Sequence, residues 1–361
     1  MASFALLGTR GIPANYGGFE TFAEELATRL VGRGHRVTVY CRERHSERQF
    51  RGVDLVYVPT IRHKYFDTIV HTALSTLHLL FHRRDAVLYC NAANAIFTIL
   101  PRALGMPVAL NVDGLERNRK KWNSLARTWY LISEWLSTKL PTRIVTDAGE
   151  IERYYMERYG ASSNFIPYGA DTQALESREA VDRLGLEPRE YFLYVSRMEP
   201  ENNGLLVREA FEKLPTPKKL ALIGDAPYAA DYIARVRDTS DPRIVIPGAI
   251  YGQGYRELQS HCFAYVHATE VGGTHPALIE AMGRGALTMY LNTPENAEVA
   301  GDAGIAFETG TLGEVMERVL RMDLAEQERY RVAARRRVEE HYSWDAVTTA
   351  YEKLLMRLAK L

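Results

Sequence analysis

Short apolar runs alternate with helix-length amphipathic segments along this 361-residue chain, and the alternation goes through two rounds. The first round opens with Phe4-Ala-Leu-Leu-Gly8 and a loop containing Gly17 and Gly18. A helix over 19–31 follows, with Phe22, Leu26 and Leu30 on one face, and then the run Val37–Cys41. Strand, helix, strand in that order predicts a parallel pair, because only a crossover brings the chain back to start a parallel neighbour. Runs at 53–58, 86–91, 108–112 and 143–146 extend that sheet, with helices expected over 66–81, 122–140 and 150–159. The second round has runs at 191–196, 219–224, 243–247, 263–267, 287–291 and 304–307, with helices between and after them. The fold class expected is α/β, with two doubly wound, Rossmann-like parallel-sheet domains over 1–168 and 169–344. A final amphipathic helix, 345–361, is expected to cross back to the first domain. Such sheets take ligands beyond the carboxyl ends of their strands, so the expected site is a cleft faced by both domains.

The richest single stretch is Glu270–Gly285. It leaves the apolar run 262–267, passes Gly272 and Gly273, and enters a helix near Thr274 or Pro276. A strand, a glycine turn and a fresh helix N-terminus present unpaired N–H groups at a positive dipole end, which suits a phosphate. Glu280, one turn inside, is placed to accept hydrogen bonds from two vicinal hydroxyls. An ordinary crossover with a solvated glutamate has the same spacing, and both readings stand on spacing alone.

Net charge is zero, yet residues 1–168 hold 22 Lys and Arg against 15 Asp and Glu, so the rest of the chain is acidic. A basic first half suggests an anionic partner such as a lipid surface or a phosphorylated acceptor. No groove-reading motif or zinc spacing points to nucleic acid. Cys41, Cys90 and Cys262 are far apart in apolar surroundings, the pattern of reduced thiols in a cytoplasmic protein. The chain opens straight into a strand, without the features of a secretory leader. The run 69–81 is interrupted by His71, Thr72, Ser75, Thr76 and His78 and is too short to span a bilayer. Arg117, Arg119, Lys120 and Lys121 beside Trp122, Trp129, Tyr130 and Trp135 fit the edge of a headgroup layer. The more usual reading of such a stretch is a helix with one solvated face and one apolar core face.

The order Gly17-Gly18, Ser196-Arg197 with Pro200-Glu201-Asn202, Gly224-Asp225, Glu280-Ala281-Met282 and Tyr342-Ser343-Trp344 resembles the retaining GT-B glycosyltransferases of family 4. The phrases Gly8–Pro13, Tyr16–Glu20 and Asp113–Glu116 with Lys121-Trp122 are similar to a bacterial rhamnosyltransferase-like branch that works on cell-surface polysaccharides. The resemblance covers the whole chain. It implies a metal-independent transferase moving a sugar, rhamnose or another hexose, from a UDP- or dTDP-linked donor to a saccharide or lipid-linked saccharide. It implies no cofactor. It places the protein in the cytoplasm, with peripheral contact to the inner membrane face.

Carried over by position, Glu280 would grip the donor ribose and Arg197 the diphosphate. Gly17 and Gly18 would let backbone approach that diphosphate, and Gly272, Gly273 and Thr274 would lie near sugar and phosphate. Two positions depart from the pattern. Asn202 stands where a second cation is usual, and Gly272 stands eight residues before Glu280 where a glutamate is usual. Glu270 is two residues further back. Less cation and fewer hydroxyl partners are consistent with a deoxysugar donor. A diphosphate leaving group gathers charge as the glycosidic bond stretches, and Arg197 would stabilise it most in the transition state. An ion pair of Arg197 with Glu199 or Glu201 is the structural alternative. Asp113, at a strand end, would orient the acceptor hydroxyl or balance oxocarbenium charge, or it caps the following turn. Glu116 is the other carboxylate for the role. His275 bonds a phosphate or caps the helix. Different functions on the same double fold are a nucleotide-sugar epimerase, a phosphorylase and a non-catalytic binding subunit. The first two lack a recognisable acid–base pair or pyridoxal lysine here, and retention of Arg197 and Glu280 argues against the third.

Overall fold

A computed structural model describes residues 1–15, 17–61, 63, 66–119, 122–226 and 229–360. Tyr16, Lys120 and Lys121, named above, lie outside the described residues. The chain divides into two compact units, one of residues 1–168 with 344–361 and the other of residues 169–343.

In the first unit the strands are β1 (Ser3–Leu7), β2 (Arg36–Cys41), β3 (Gln49–Phe50), β4 (Val53–Tyr57), β5 (Ala86–Cys90), β6 (Val108–Asn111), β7 (Arg143–Thr146) and β8 (Asn164–Phe165). They form one sheet in the order β3-β4-β2-β1-β5-β6-β7-β8. Every pair is parallel except β3 with β4. The central strands are buried on both faces, which is why they read as unbroken apolar runs. The helices are α1 (Gly18–Gly32), α2 (Asp67–Phe81), α3 (Ile99–Ala103), α4 (Ser124–Ser137) and α5 (Gly149–Tyr159), with a 3₁₀ turn over Ala92–Thr98 leading into α3.

The second unit places β9 (Tyr191–Val195), β10 (Lys219–Ile223), β11 (Ile244–Gly248), β12 (Ala264–His267), β13 (Leu287–Leu291) and β14 (Ile305–Phe307) in an all-parallel sheet of order β11-β10-β9-β12-β13-β14. Its helices are α6 (Glu179–Arg183), α7 (Gly204–Glu212), α8 (Ala230–Arg237), α9 (Gly252–His261), α10 (Pro276–Gly283), α11 (Pro294–Ala300), α12 (Leu312–Arg321) and α13 (Leu324–His341). One apolar cluster packs Phe192, Phe211, Leu222, Val266 and Met316 on one face of this sheet, and a second packs Tyr191, Leu193, Leu258 and Tyr265 on the other.

The last helix, α14 (Trp344–Ala359), belongs to the first unit. Its Tyr351 is fully buried, accepts a hydrogen bond from Asn111 Nδ2 at 2.9 Å and meets the Phe22 ring at 5.1 Å. Glu352 accepts from Arg33 at 2.7 Å and pairs with His35 at 2.8 Å, which fastens the helix to α1 and the turn after it.

One helical segment was not expected, and one expectation about a helix needs correcting. The segment 92–103, between two expected strands, is helical. Asn91, at φ 75°, starts it by accepting a hydrogen bond from the Ala93 N–H. The helix expected over 122–140 was read with an apolar core face, and the structure turns it the other way. α4 buries Ser133, Glu134 and Ser137 and leaves Leu131, Ile132 and Trp135 exposed.

Candidate active site

Each sheet has one point where the chain's winding changes direction, between β1 and β5 in the first unit and between β9 and β12 in the second. Loops leaving the two strands at such a point diverge, and the gap between their carboxyl ends is where open α/β sheets hold ligands. Gly17 and Gly18 follow β1 and Arg197 and the 270–280 stretch follow β9 and β12, whereas Asp113 and Glu116 follow β6, one strand beyond β5.

In the second unit Arg197 follows β9, and the Glu270–His275 segment follows β12, its hydrogen-bonded neighbour. The two loops brace each other. The Glu270 N–H donates to Glu201 O at 2.9 Å, and Asn203 Nδ2 donates to Ala268 O at 2.9 Å and Glu270 Oε1 at 3.0 Å. Asn202, expected among the donor-binding groups, is buried, and its Nδ2 donates to Arg197 O at 2.7 Å. Its side chain therefore fixes the backbone carrying Arg197. The Arg197 guanidinium is 29% exposed and lies 3.8 Å from Glu199 Oε2, a long pair that leaves the fork's remaining donors to point elsewhere.

Pro276 takes the first helical position of α10, whose opening N–H groups sit beside Gly273 and Thr274. Glu280 lies one turn further and is aimed by a residue the sequence did not single out. The buried Tyr255 hydroxyl donates to Glu280 Oε2 at 2.6 Å, and Gln259 Nε2 donates to Tyr255 Oη at 2.7 Å. Burial first, and the Glu280 charge second, hold the Tyr255 phenol well above its ordinary value, so it stays a donor. The spacing of Tyr255 and Gln259 on α9, four apart, puts both on one face toward α10.

His275 precedes the helix without capping it by its side chain. Its Nδ1 is 2.7 Å from Asn296 Oδ1, while Asn296 Nδ2 donates to Thr269 O and Leu291 O at 3.0 and 2.9 Å. With the amide orientation set by two carbonyls, Nδ1 carries a proton and donates it to Asn296 Oδ1. Behind it, 4.9 Å between centroids, lies His267, buried and pressed well below its ordinary value by desolvation and then by His275. Gly272 is what admits the His275 ring: a Cβ there would stand 2.2 Å from Nε2. The missing glutamate and the histidine are thus one feature, since the ring fills the space that a side chain at 272 would need.

In the first unit the loop after β1 is held by helix α1. The Arg10 N–H donates to Glu20 Oε1 and the Ala14 N–H to Glu24 Oε2, both at 2.8 Å. Burial raises the Glu20 carboxyl above the ordinary glutamate value, opposed first by the Arg10 N–H. Gly17 caps α1 in extended backbone, and a Cβ on it would make only ordinary contact with Glu20 at 3.5 Å. Gly18 opens the helix.

Asp113 follows β6 at φ 57°, a left-handed conformation uncommon outside glycine, held by Asn111 Oδ1, which accepts from its N–H at 2.9 Å. Its charge is second only to burial in raising the Tyr168 phenol. The 3₁₀ turn over Glu116–Asn118 starts from Leu115 with no side-chain cap. Glu116, the alternative carboxylate, accepts from Arg119 Nε at 2.6 Å. The basic–aromatic stretch differs from its reading at a headgroup layer. Arg119 is buried against Glu116, and Arg117 bonds the buried Glu134 and, at 2.8 Å, the Tyr154 hydroxyl. Lys120 and Lys121 lie outside the described residues. All three cysteines are free and buried, and burial pushes the Cys41 and Cys262 thiols up to about 11.

Residues 1–171 match a family described as a domain of unknown function, DUF1972, and residues 189–322 match the family of glycosyl transferases group 1. No curated protein matches the chain in sequence. Among solved structures, sucrose-phosphate synthase (tll1590) from Thermosynechococcus elongatus aligns over 99% of both chains with TM-score 0.79 and 17% identity. Anabaena Alr3699/HepE in complex with UDP-glucose aligns over 98% of this chain and 99% of its own, with TM-score 0.79 and 14% identity. WaaG, a glycosyltransferase involved in lipopolysaccharide biosynthesis, aligns over 99% of both, with TM-score 0.72 and 18% identity. The two-sheet architecture is that of the GT-B glycosyltransferases.

Proposed function

We propose that this chain, with a glycosyl transferase group 1 domain and a GT-B fold over its length, transfers a hexose from a nucleotide diphosphate sugar to a saccharide or lipid-linked saccharide. The donor is UDP- or dTDP-linked, the sugar rhamnose or another hexose, and the product belongs to cell-surface polysaccharide synthesis. The observation that carries the reading is the convergence of Arg197, the N-terminus of α10 and the Tyr255-aimed Glu280 around one winding change. Those three groups match a diphosphate next to a ribose. Arg197 and the opening N–H groups of α10 take the phosphates, and Glu280 accepts from ribose hydroxyls.

The reaction breaks the bond from the anomeric carbon to the phosphate oxygen and forms one from that carbon to the acceptor oxygen. The acceptor's proton passes to the departing phosphate oxygen on the same face, which retains configuration and needs neither a carboxylate nucleophile nor a metal. Arg197 stabilises the charge that grows on the diphosphate. Asp113 of the first unit orients the acceptor hydroxyl, with Glu116, which accepts from Arg119, as the other carboxylate for the role. Gly17, which nothing within its own unit requires to be glycine, is kept for close approach of a ligand to backbone. A lipid-linked acceptor would put the enzyme at the cytoplasmic face of the cell membrane.

A panel of nucleotide sugars assayed for transfer and donor hydrolysis identifies the donor, and paired variants test the roles. Arg197→Ala should weaken nucleotide binding and lower kcat by about 10²–10³. Asp113→Asn suits the left-handed backbone and should spare nucleotide binding while suppressing transfer. Arg197→Ala with unchanged UDP affinity and turnover would remove the diphosphate role, and wild-type transfer by Asp113→Asn would leave Asp113 a backbone element alone.

A further inference from the structure

Two neighbouring helical faces of the first unit are inside out. An amphipathic helix on a sheet ordinarily buries its apolar stripe and wets its polar one. Helix α2 buries His71, Thr72, Ser75 and Thr76 completely, together with Leu79. Its outward stripe is Leu74, Leu77 and Phe81, the last 85% exposed. Helix α4 repeats the inversion, with Ser133, Glu134 and Ser137 inside and Leu125, Ile132 and Trp135 outside, Leu125 at 77% and Trp135 at 51% exposure. Between them the 92–103 segment packs against both helices and adds exposed Ile99, with Leu104 just past its end. These exposed apolar side chains thus lie on elements that pack on one another, where their clustering marks a candidate interaction surface.

Internal bonds fix this orientation. On α4 the buried Glu134 accepts from Arg117, from the Tyr154 hydroxyl at 2.8 Å and from the Tyr159 hydroxyl at 3.3 Å, so the polar face cannot turn out without leaving a charge unpaired. On α2 Asp67 pairs with Arg42 at 2.8 Å, and the Thr76 and Tyr89 hydroxyls are 2.8 Å apart.

Charge decides what covers the surface. The only carboxylates on α2, the 92–103 segment and α4 are Asp67 and Glu134, and both are used internally. Arg102 and Arg127 are exposed on these elements, and Arg83 and Lys139 just beyond their ends. Arg83 bonds Leu104 O and Arg102 bonds Lys139 O at 3.0 Å, which gathers the cations where the segments end. A second copy of the chain would bring like charges to like charges across a two-fold interface. An anionic headgroup layer over acyl chains meets both the cations and the apolar stripe.

We propose that this outer face of α2, the 92–103 segment and α4 docks the protein on anionic lipid, its apolar side chains entering the headgroup–acyl boundary. The proposal deepens the membrane location suggested by a lipid-linked acceptor and moves it from residues 117–121, of which Arg117 and Arg119 are engaged internally, to a different face. It requires no nucleotide, so its failure leaves the transferase reading intact.

The test is sedimentation of the full chain, without nucleotide, on vesicles of phosphatidylcholine and of phosphatidylcholine mixed with equal phosphatidylglycerol. Wild type should bind the anionic vesicles, less as salt rises. Leu77→Ser, Phe81→Ser and Trp135→Ser together should lower partitioning by about tenfold or more, since each removes a large exposed apolar group. Arg127→Glu with Lys139→Glu should abolish the preference for anionic over neutral vesicles. Trp135→Phe, which keeps the apolar bulk, guards against misfolding of the triple variant. It should still bind while losing the larger part of the vesicle-induced blue shift in tryptophan emission. No binding of wild type to anionic vesicles, or equal binding by the folded triple variant, overturns the proposal. So does a wild-type dimer in light scattering that the triple variant converts to monomer, because that face would then be a self-interface.

Discussion

Gly272→Ala should be far more damaging than its one added methyl suggests. The backbone at 272 lies outside the left-handed region, so alanine meets no conformational penalty there. Its Cβ would stand 2.2 Å from His275 Nε2 and 2.8 Å from Cδ2, and the imidazole must swing away. Swinging breaks the 2.7 Å bond from Nδ1 to Asn296 Oδ1, and Asn296 is completely buried. The lost bond costs about 1 kcal/mol and the orphaned buried oxygen a further ~1–3 kcal/mol, so about 2–4 kcal/mol is expected. For a unit of this size that lowers the melting temperature by roughly 5–15 °C. Differential scanning calorimetry reads it, with His275→Ala as the second arm of a cycle. His275→Ala already loses the bond, and in that background the added methyl has no ring to strike. Gly272→Ala should then cost under about 0.5 kcal/mol, giving a coupling of roughly 2–3 kcal/mol between adjacent sites. Equal cost in both backgrounds would refute the idea that Gly272 exists to admit the histidine ring.

Two further outcomes follow from single contacts. Glu280→Ala should weaken UDP binding in calorimetry by about 1.5–3 kcal/mol, and Tyr255→Phe, which deletes only the hydroxyl that aims Glu280, by about 0.5–1.5 kcal/mol. The Glu280 loss should be smaller for dTDP, which offers one ribose hydroxyl fewer, and unchanged UDP affinity in both variants would detach Glu280 from the nucleotide. The His35 bond first, and Arg33 after it, hold Glu352 below the ordinary glutamate value of 4.5. A depressed carboxyl stabilises fully above that ordinary value and loses the contribution as pH falls through its own lower one. Limited proteolysis should therefore release α14 in that acid window in wild type, whereas Glu352→Gln should show the same susceptibility at neutral pH as in acid.

How much of this was legible in the sequence differs by the kind of interaction. The strands were, because strands buried on both faces must be short unbroken apolar runs, and 191–195 or 287–291 admit no other packing. So was the grouping of Arg197 with the 270–280 stretch, since both follow strands and parallel sheets gather such loops at one edge. The groups that aim them were not. Tyr255, Asn296 and Glu20 reach their partners from other elements, or across a loop, and no local spacing announces a hydroxyl meeting a carboxylate 25 residues away. Asn202 shows the same limit: its position suggested a ligand contact, and no spacing announced that its amide donates to Arg197 O.

The inverted helices make the point sharpest. Periodicity in α2 and α4 separates a polar stripe from an apolar one, and nothing in periodicity says which stripe faces the sheet. The usual inference, apolar inward, rests on burial of a few large side chains, each about 1.5–3 kcal/mol. Against it on α4 stands a buried carboxylate with Arg117 and two tyrosine hydroxyls around it. Turning the helix over would strand that arginine or expose its partner, and breaking a buried pair costs about 3–5 kcal/mol. The apolar side would be gained only if no other surface could take it. A lipid layer over Leu77, Phe81 and Trp135, as proposed above, would satisfy both stripes at once and would leave neither a charge nor an apolar face without a partner.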